Sequence, residues 1–387
     1  MAKRNFKLPG ISDLNKDQED ARALSKDGQH LIIGGPGTGK SVLALLRCRR
    51  LHRENEDYVF LVFNHLLNQA SNQLFEGKLK SQQWQAWFKS QFINLTKEDD
   101  VPKMPPKNDW EETDWDGVLT TINELEELPE KDFPSLIIDE GQDMPPQFYQ
   151  ALINLGFENF FVVADQNQQI KPDQNSTRQD IQRVFAINAN DVIELRRNYR
   201  NQYSIARLAQ EFYTGDPASP PPDLPKPGSS VEGPVLIEYK ADKFKNVIQR
   251  VLKTADRNPE WLIGIIAPNN DVRKRYVDAL MGADVKLDND KPRVVTFHKN
   301  NRPMVAFDEG GILVINAQAC KGLEFDLEFL SDINEYKLWN SISDQQKRLF
   351  YVMVARARHR IIMLKEAGKA CPIEGILPSD PNVLERQ

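Results

Sequence analysis

The chain has 387 residues, more than one ordinary core accommodates, and its length points to two domains. Its 40% hydrophobic and 27% charged residues are those of a soluble globular protein. A formal net charge of −6 excludes tight duplex binding through a general basic coat, though not through a local basic groove.

The opening, "MAKRNFKLPG", is basic but lacks the apolar core of a signal peptide, and no run of about 18 apolar residues follows to span a membrane. Cys48, Cys320 and Cys371 lie far apart, without metal-ligand spacing or a disulfide framework, so a reduced, cytoplasmic chain is expected. Apolar runs at 30–35, 58–64, 135–140, 159–165 and 191–195 form a first series of strands, alternating with amphipathic stretches. A second series follows at 234–239, 261–268, 293–298, 311–317 and 359–365. The runs are rich in Val, Ile and Leu without polar alternation, as strands buried on both faces of a parallel sheet should be. Two such series predict two α/β domains, 1–194 and 195–387.

An interruption at 72–132 carries Trp84, Trp87, Phe88 and Phe92 at helical spacing, which reads as a small helical core. A stretch rich in Pro, Gly and Ser at 214–234 reads as a surface loop inside the second domain. Residues 98–143 are acidic, while 47–50, 273–275 and 356–360 are locally basic, each by itself expected to be a solvated helix face. No internal repeat is evident.

"LIIGGPGTGKS" places Gly34, four intervening residues and then Gly39, Lys40 and Ser41 after a strand and before the helix-forming "VLALLRCRRL". This is the pattern of a phosphate-binding loop. Gly35, Pro36, Gly37, Thr38 and Gly39 would form the loop around the ATP phosphates and turn their backbone N–H groups (Pro36 has none) toward them; Lys40 would reach the β- and γ-phosphates, and Ser41 would hold Mg²⁺. In "SLIIDEGQD" a strand ends in Asp139, placed to bind Mg²⁺ through water, and Glu140, placed to take a proton from the attacking water.

The order and wording of these motifs resemble the UvrD/Rep-like superfamily 1 helicases. That resemblance implies two RecA-like parallel-sheet domains with a nucleotide cleft between them. "LNKDQ" is similar to the Q motif and assigns Gln18 to adenine; "VFNHLLNQA" is similar to motif Ia and assigns Phe63 and Asn64 to the nucleic-acid strand. "DEGQD" extends the acidic pair through Gln142 and Asp143. "VVADQNQQIKPDQNST" (162–177) matches motif III, with Gln168 as γ-phosphate sensor and Asn175 or Ser176 expected as N-cap of the next helix. "ELRRNYRN" matches motif IV, where Tyr199 would stack on adenine and Arg200 contact the γ-phosphate. "INAQACKGLEFD" matches motif V, where Glu324 would face the ribose and Gln318 and Lys321 lie near the nucleic-acid track. "RLFYVMVARARHRIIML" matches motif VI, making Arg356 a second arginine finger.

The chain also departs from that family. "IKPDQ" (170–174) stands where motif III carries base-stacking aromatics, Asn316 and Gln318 replace Thr and His, Ala355 replaces a Thr, and "NHLLNQ" lacks the usual Thr and Lys. These changes fall on the nucleic-acid side, and the large accessory subdomain between motifs IV and V is missing. The expectation is an ATP- and Mg²⁺-dependent motor translocating on single-stranded DNA, 3′ to 5′ by resemblance, with no membrane role. Two alternatives remain open: an ATPase subunit working with a nuclease or other effector protein in defence or repair, and an RNA helicase.

Overall fold

The computed structural model describes residues 2–10, 13–105, 112–126, 132–169, 175–215, 219–228, 232–337 and 343–387. The chain divides into two compact units, Pro9–Gly34 with Gly39–Leu195, and Met1–Leu8 with Gly35–Thr38 and Arg196–Gln387. Among the described residues no helix is long and apolar enough to cross a membrane.

The first unit is built on six strands: β1 (Gln29–Gly34), β2 (Tyr58–Val62), β3 (Ser81–Gln83), β4 (Ser135–Ile138), β5 (Phe160–Ala164) and β6 (Ile193–Leu195). They lie in the order β3-β2-β4-β5-β1-β6, every pair parallel. The second unit has β7 (Val235–Tyr239), β8 (Leu262–Ala267), β9 (Val294–Thr296), β10 (Gly311–Asn316), β11 (Phe325–Leu330), β12 (Ala357–Glu366) and β13 (Glu385–Arg386). Their order is β13-β7-β12-β11-β8-β10-β9, again wholly parallel. Each unit thus has the layered α/β layout of a RecA-like domain. β5 and β8 are buried along their whole length, which is why they read as continuous apolar runs. Helix Phe244–Arg257 shows the complementary pattern, turning Val247, Ile248, Val251, Leu252 and Ala255 onto the second sheet's core.

Three strands, β3, β11 and β13, escape the sequence reading. β3 and β13 are short and polar. β11, "FDLEFL", hides its strand character because Asp326 and Glu328 interrupt the apolar run, yet both are buried. The run at 58–64 is shorter than expected, because Asn64 leaves the strand and caps helix His65–Leu74, its Oδ1 accepting from Leu67 N at 2.8 Å.

The aromatic stripe does form a helix, Trp84–Thr96, but not a core of its own. Trp84, Trp87, Phe88 and Phe92 join the same buried cluster as Leu31, Leu136 and Phe148 of the first unit. The N-cap of helix Arg178–Val184 is Thr177, not Asn175 or Ser176, with a capping box closed by Asp180. Tertiary partners recruit the two earlier residues: Ser176 Oγ donates to Met144 O at 2.6 Å, and Asn175 Nδ2 to Asp143 Oδ1 at 3.4 Å. The basic clusters are not simply solvated faces either. Arg47 is buried, donating to Leu24 O at 2.8 Å and to Ser25 O with its guanidinium over the Phe161 ring, and Arg273 and Arg356 are buried too. In the Pro-rich loop the described part is tied down, Asp223 N donating to Arg196 O at 2.7 Å.

Glu328 is fully buried in the middle of β11, and neither carboxylate oxygen has a hydrogen-bond partner among the described residues. Burial pushes its pKa well above the carboxylate range, opposed in part by Arg356 and Arg200. The folded protein therefore holds a proton there that the unfolded chain releases above the ordinary carboxylate pKa. Stability from this group is full at low pH and declines as pH rises. We expect the melting temperature of Glu328→Gln, which cannot ionise, to gain on that of the parent between about pH 5 and about pH 8. Thermal melts across that range check it, and a pH-independent difference would show that Glu328 is ionised throughout.

Candidate nucleotide-binding site

At the C-terminal end of β1 the chain passes through a glycine loop into helix Lys40–Arg53. Gly37 and Gly39 have φ of 76° and 91°, conformations that favour glycine. Gly39 offers no side-chain cap and the helix's first turn has no acidic residue, the setting in which a helix N-terminus suits an anion. A Cβ on Gly39 would lie 2.5 Å from Gln18 Nε2. Gln18 is buried on helix Lys16–Ala23, and its Oε1 accepts from Asn15 N at 3.1 Å in a capping box. The carboxamide assigned to adenine is thus set beside the loop by its own helix cap.

Lys40 is buried, its Nζ 4.0 Å from Asp165 Oδ2 at the end of β5. Asp165 is also buried, which raises its pKa, while Lys40 and Gln168 oppose the rise. Gln168 Nε2 donates to Asp165 Oδ2 at 2.6 Å, and Asn167 N to Oδ1 at 3.0 Å. Gln142 completes the link, accepting from Asp165 N at 2.9 Å through Oε1 and donating to Glu140 Oε2 at 2.6 Å through Nε2. One polar chain therefore runs from Glu140 through Gln142 and Asp165 to Gln168, with Lys40 beside it. Asp165 and Gln142 are the connecting members that motif assignment alone leaves without a role; the signal for Asp165 was its place at the end of an apolar run.

Asp139 Oδ1 accepts from Glu140 N at 2.9 Å, and its carboxylate also takes a hydrogen bond from Ser41. Its Oδ2 is buried with no hydrogen-bond partner among the described residues. Burial, then the charge of Glu140, pushes the Asp139 pKa up to about 6 against the pull of Ser41 and Lys40. A buried, unsatisfied carboxylate oxygen beside a hydroxyl fits a divalent cation. Among the described residues no group of three His, Cys, Asp or Glu side chains could hold a metal. Asp139 and Ser41 are the residues that would hold the expected Mg²⁺, an ion that keeps much of its water and is bound by few protein groups together with phosphates. Glu140 has a positive φ of 55°, a strained carboxylate at the turn after β4.

The second unit holds the other predicted residues. Tyr199 is 45% exposed, with the Arg197 guanidinium 5.0 Å from its ring centroid. Its N donates to Gly37 O at 2.8 Å, and a Cβ on Gly37 would meet Asn198 Oδ1 at 2.3 Å. Thr38 Oγ1 donates to Gly35 O at 2.8 Å, which fixes the loop between them around Pro36. Arg200 binds Glu324 Oε1 through Nε at 2.8 Å and Nη2 at 2.5 Å. Burial works to raise the Glu324 pKa, yet Arg200 holds it at about 2. Arg356 is buried, with Nε donating to Val352 O at 3.0 Å. Asn201 Nδ2, unmarked by the motif reading, donates to Ala355 O at 3.1 Å and Ala357 O at 2.6 Å. Of the residues assigned to nucleic acid, Lys321 is buried, Gln318 is exposed, Phe63 is 36% exposed after β2, and Asn64 spends its side-chain oxygen on a helix cap. The "IKPDQ" stretch at 170–174 lies outside the described residues.

A protein-family model described as "Schlafen group 3, DNA/RNA helicase domain" matches residues 29–225, just over half of the chain. No curated protein sequence matches the chain. Among solved structures, the C-terminal domain of a possible DNA helicase from Lactobacillus plantarum WCFS1 is 19% identical with a TM-score of 0.33, over 49% of this chain and 98% of that one.

The glycine loop can be tested without touching a charged group. Gly39→Ala places a Cβ at a backbone angle costing about 1–2 kcal/mol and forces Gln18 aside. We expect nucleotide affinity to fall about tenfold, the loss that strain of this size implies. Titration with a fluorescent ATP analogue checks this, and unaltered affinity would show that the loop does not hold the nucleotide.

Proposed function

The chain belongs to the Schlafen group 3 DNA/RNA helicase domain family, and from that premise we propose that it is a Mg²⁺-dependent ATPase motor translocating on single-stranded nucleic acid. The observation that carries the reading is the buried polar chain Glu140–Gln142–Asp165–Gln168 beside Lys40. A structural role alone would not bury an ammonium, two carboxylates and two carboxamides at adjoining strand ends, because each must be desolvated.

In the proposed reaction the glycine loop and the helix start cradle the phosphates of ATP, and Lys40 contributes a positive charge at the β- and γ-phosphates. Ser41 and Asp139 would hold Mg²⁺. The ion, when bound, neutralises charge on the β- and γ-phosphate oxygens. Glu140 orients the attacking water and accepts its proton. Gln168 meets the γ-phosphate, and its bond to Asp165 and onward to Gln142 ties that contact to the orientation of Glu140. Gln18 and Tyr199 hold the adenine, Glu324 the ribose, and Arg200 and Arg356 stabilise charge on the transferred phosphoryl group. Resemblance to UvrD/Rep-like motors supports single-stranded DNA as the track and 3′ to 5′ polarity. The family's own description, naming both DNA and RNA, keeps RNA as the second reading.

ATP turnover measured with no nucleic acid, single-stranded DNA, duplex DNA and RNA decides between them, with Lys40→Ala as blank. Stimulation by single-stranded DNA is the expected result, stimulation by RNA alone selects the second reading, and indifference to every nucleic acid removes the motor. In the same assay Arg356→Ala should retain nucleotide binding while turnover falls by about three orders of magnitude. Turnover at the parent rate would show that Arg356 is not the finger.

A further inference from the structure

The first eight residues, Met1–Leu8, belong to the second unit, where Arg4 reaches the segment that carries Glu324. Lys3 pairs antiparallel with Glu309, Arg4 N donates to Asp308 O at 2.8 Å, and Phe6 stacks on Phe307 with ring centroids 6.1 Å apart. Arg4 is only 7% exposed, and all three nitrogens of its guanidinium are used. Nε donates to Asp326 Oδ2 at 2.7 Å, Nη1 to Phe307 O at 3.4 Å and Nη2 to Glu324 O at 3.1 Å.

These contacts bear on one short segment. Between the 3-10 turn Ala317–Cys320 and β11 the backbone passes through Gly322 at a φ of 80°. It then places Glu324 two residues before Asp326. Arg4 fastens Glu324 by its carbonyl, while Arg200 fastens the same residue by its carboxylate. Asp326 needs this neighbour: it sits buried inside β11, where it also accepts from Leu262 N at 2.9 Å. Removing the Arg4 charge leaves that carboxylate in a buried position with a weaker set of partners. Asp326 keeps Leu262 N and has Arg358 and His359 at 4.0 and 3.9 Å from its other oxygen, but the Glu324 carbonyl loses the Arg4 bond.

We propose that Arg4 is a positioning residue for nucleotide binding, fixing the backbone from which the Glu324 carboxylate meets the ribose. The inference rests on the proposed role of Glu324, and a bare structural strap makes a different prediction. A strap would change stability and leave discrimination at the ribose untouched.

The full chain is assayed for turnover of ATP and of 2′,3′-dideoxy-ATP, well below the melting midpoint of each variant. The variants are Arg4→Ala, Arg4→Lys, Glu324→Gln and Lys3→Ala, the last breaking only the pairs of the exposed Lys3 ammonium with Asp308 and Glu309. Arg4→Ala should raise the KM for ATP about tenfold, the worth of one charge-assisted hydrogen bond. The KM for the dideoxy nucleotide should change little, as it should in Glu324→Gln. Arg4→Lys should recover only part of the preference, because a lysine cannot serve Asp326 and the Glu324 carbonyl with one planar fork. Lys3→Ala should keep the full preference. If Arg4→Ala fails to fold, Arg4→Gln combined with Asp326→Asn removes both charges together and takes its place. A preference that is lost in Glu324→Gln but survives in Arg4→Ala overturns the role of Arg4 alone. A parent enzyme with no ribose preference, unmoved by Glu324→Gln, overturns the assignment of Glu324 and the proposal with it.

Discussion

A lysine ammonium buried at the first turn of a helix is the constraint on which the first unit is organised. Lys40 has left water, and a charge in that position is tolerated only with opposing charge close by. Asp165 supplies it at 4.0 Å from the end of β5. Asp165 is itself buried, so it needs the hydrogen bonds it takes from Gln168 and Asn167. Glu140 and Gln142 are drawn in because Gln142 spans from one strand end to the other. The parallel sheet makes this economical. All its strands end on one side, so neighbouring β1, β4 and β5 deliver glycine loop, acidic pair and sensor to one place without a long loop.

How much of this was legible in the sequence follows from the range of each interaction. Strands such as β5 and β8 announce themselves because every residue is apolar and both faces are covered. The phosphate-binding loop is equally plain, since its chemistry lies in covalently adjacent residues. β11 is hidden by its two carboxylates, each tolerated for a non-local reason. Asp326 is answered by an arginine 322 positions earlier, and burial raises the Glu328 pKa against the pull of Arg356 and Arg200. No window of local sequence contains Arg4 and Asp326 together.

The misplaced helix cap has the same origin on a smaller scale. Asn175, Ser176 and Thr177 are all competent N-caps by side-chain chemistry. Ser176 is taken by Met144 O and Asn175 turns to Asp143, leaving Thr177 to close the box with Asp180. The aromatic helix at Trp84–Thr96 follows a related logic. Its periodicity correctly gave a buried face, but periodicity does not say which core receives it. The answer depends on Phe148 and Trp115, which contact Trp84 and Phe88 from more distant parts of the chain. Arg47 shows the converse: its acceptors, Leu24 O and Ser25 O, lie 23 and 22 positions earlier, so its charge alone says nothing of its burial.

The second unit adds a consequence for how nucleotide would be held. Arg200 and Glu324, which the proposed function assigns to the γ-phosphate and the ribose, are bound to each other. Each already has a strong partner, so a nucleotide gains from them only the difference between new contacts and the ion pair it replaces. Burial works to raise the Glu324 pKa, and Arg200, with Arg358 and Arg4 behind it, holds it at about 2. Such an arrangement favours discrimination over raw affinity. A ligand that offers the ribose hydroxyls but no γ-phosphate must separate the pair without a new partner for Arg200. One that offers both satisfies each member at once. The exchange ties recognition of the sugar to the presence of the third phosphate, as a motor that must tell ATP from ADP requires.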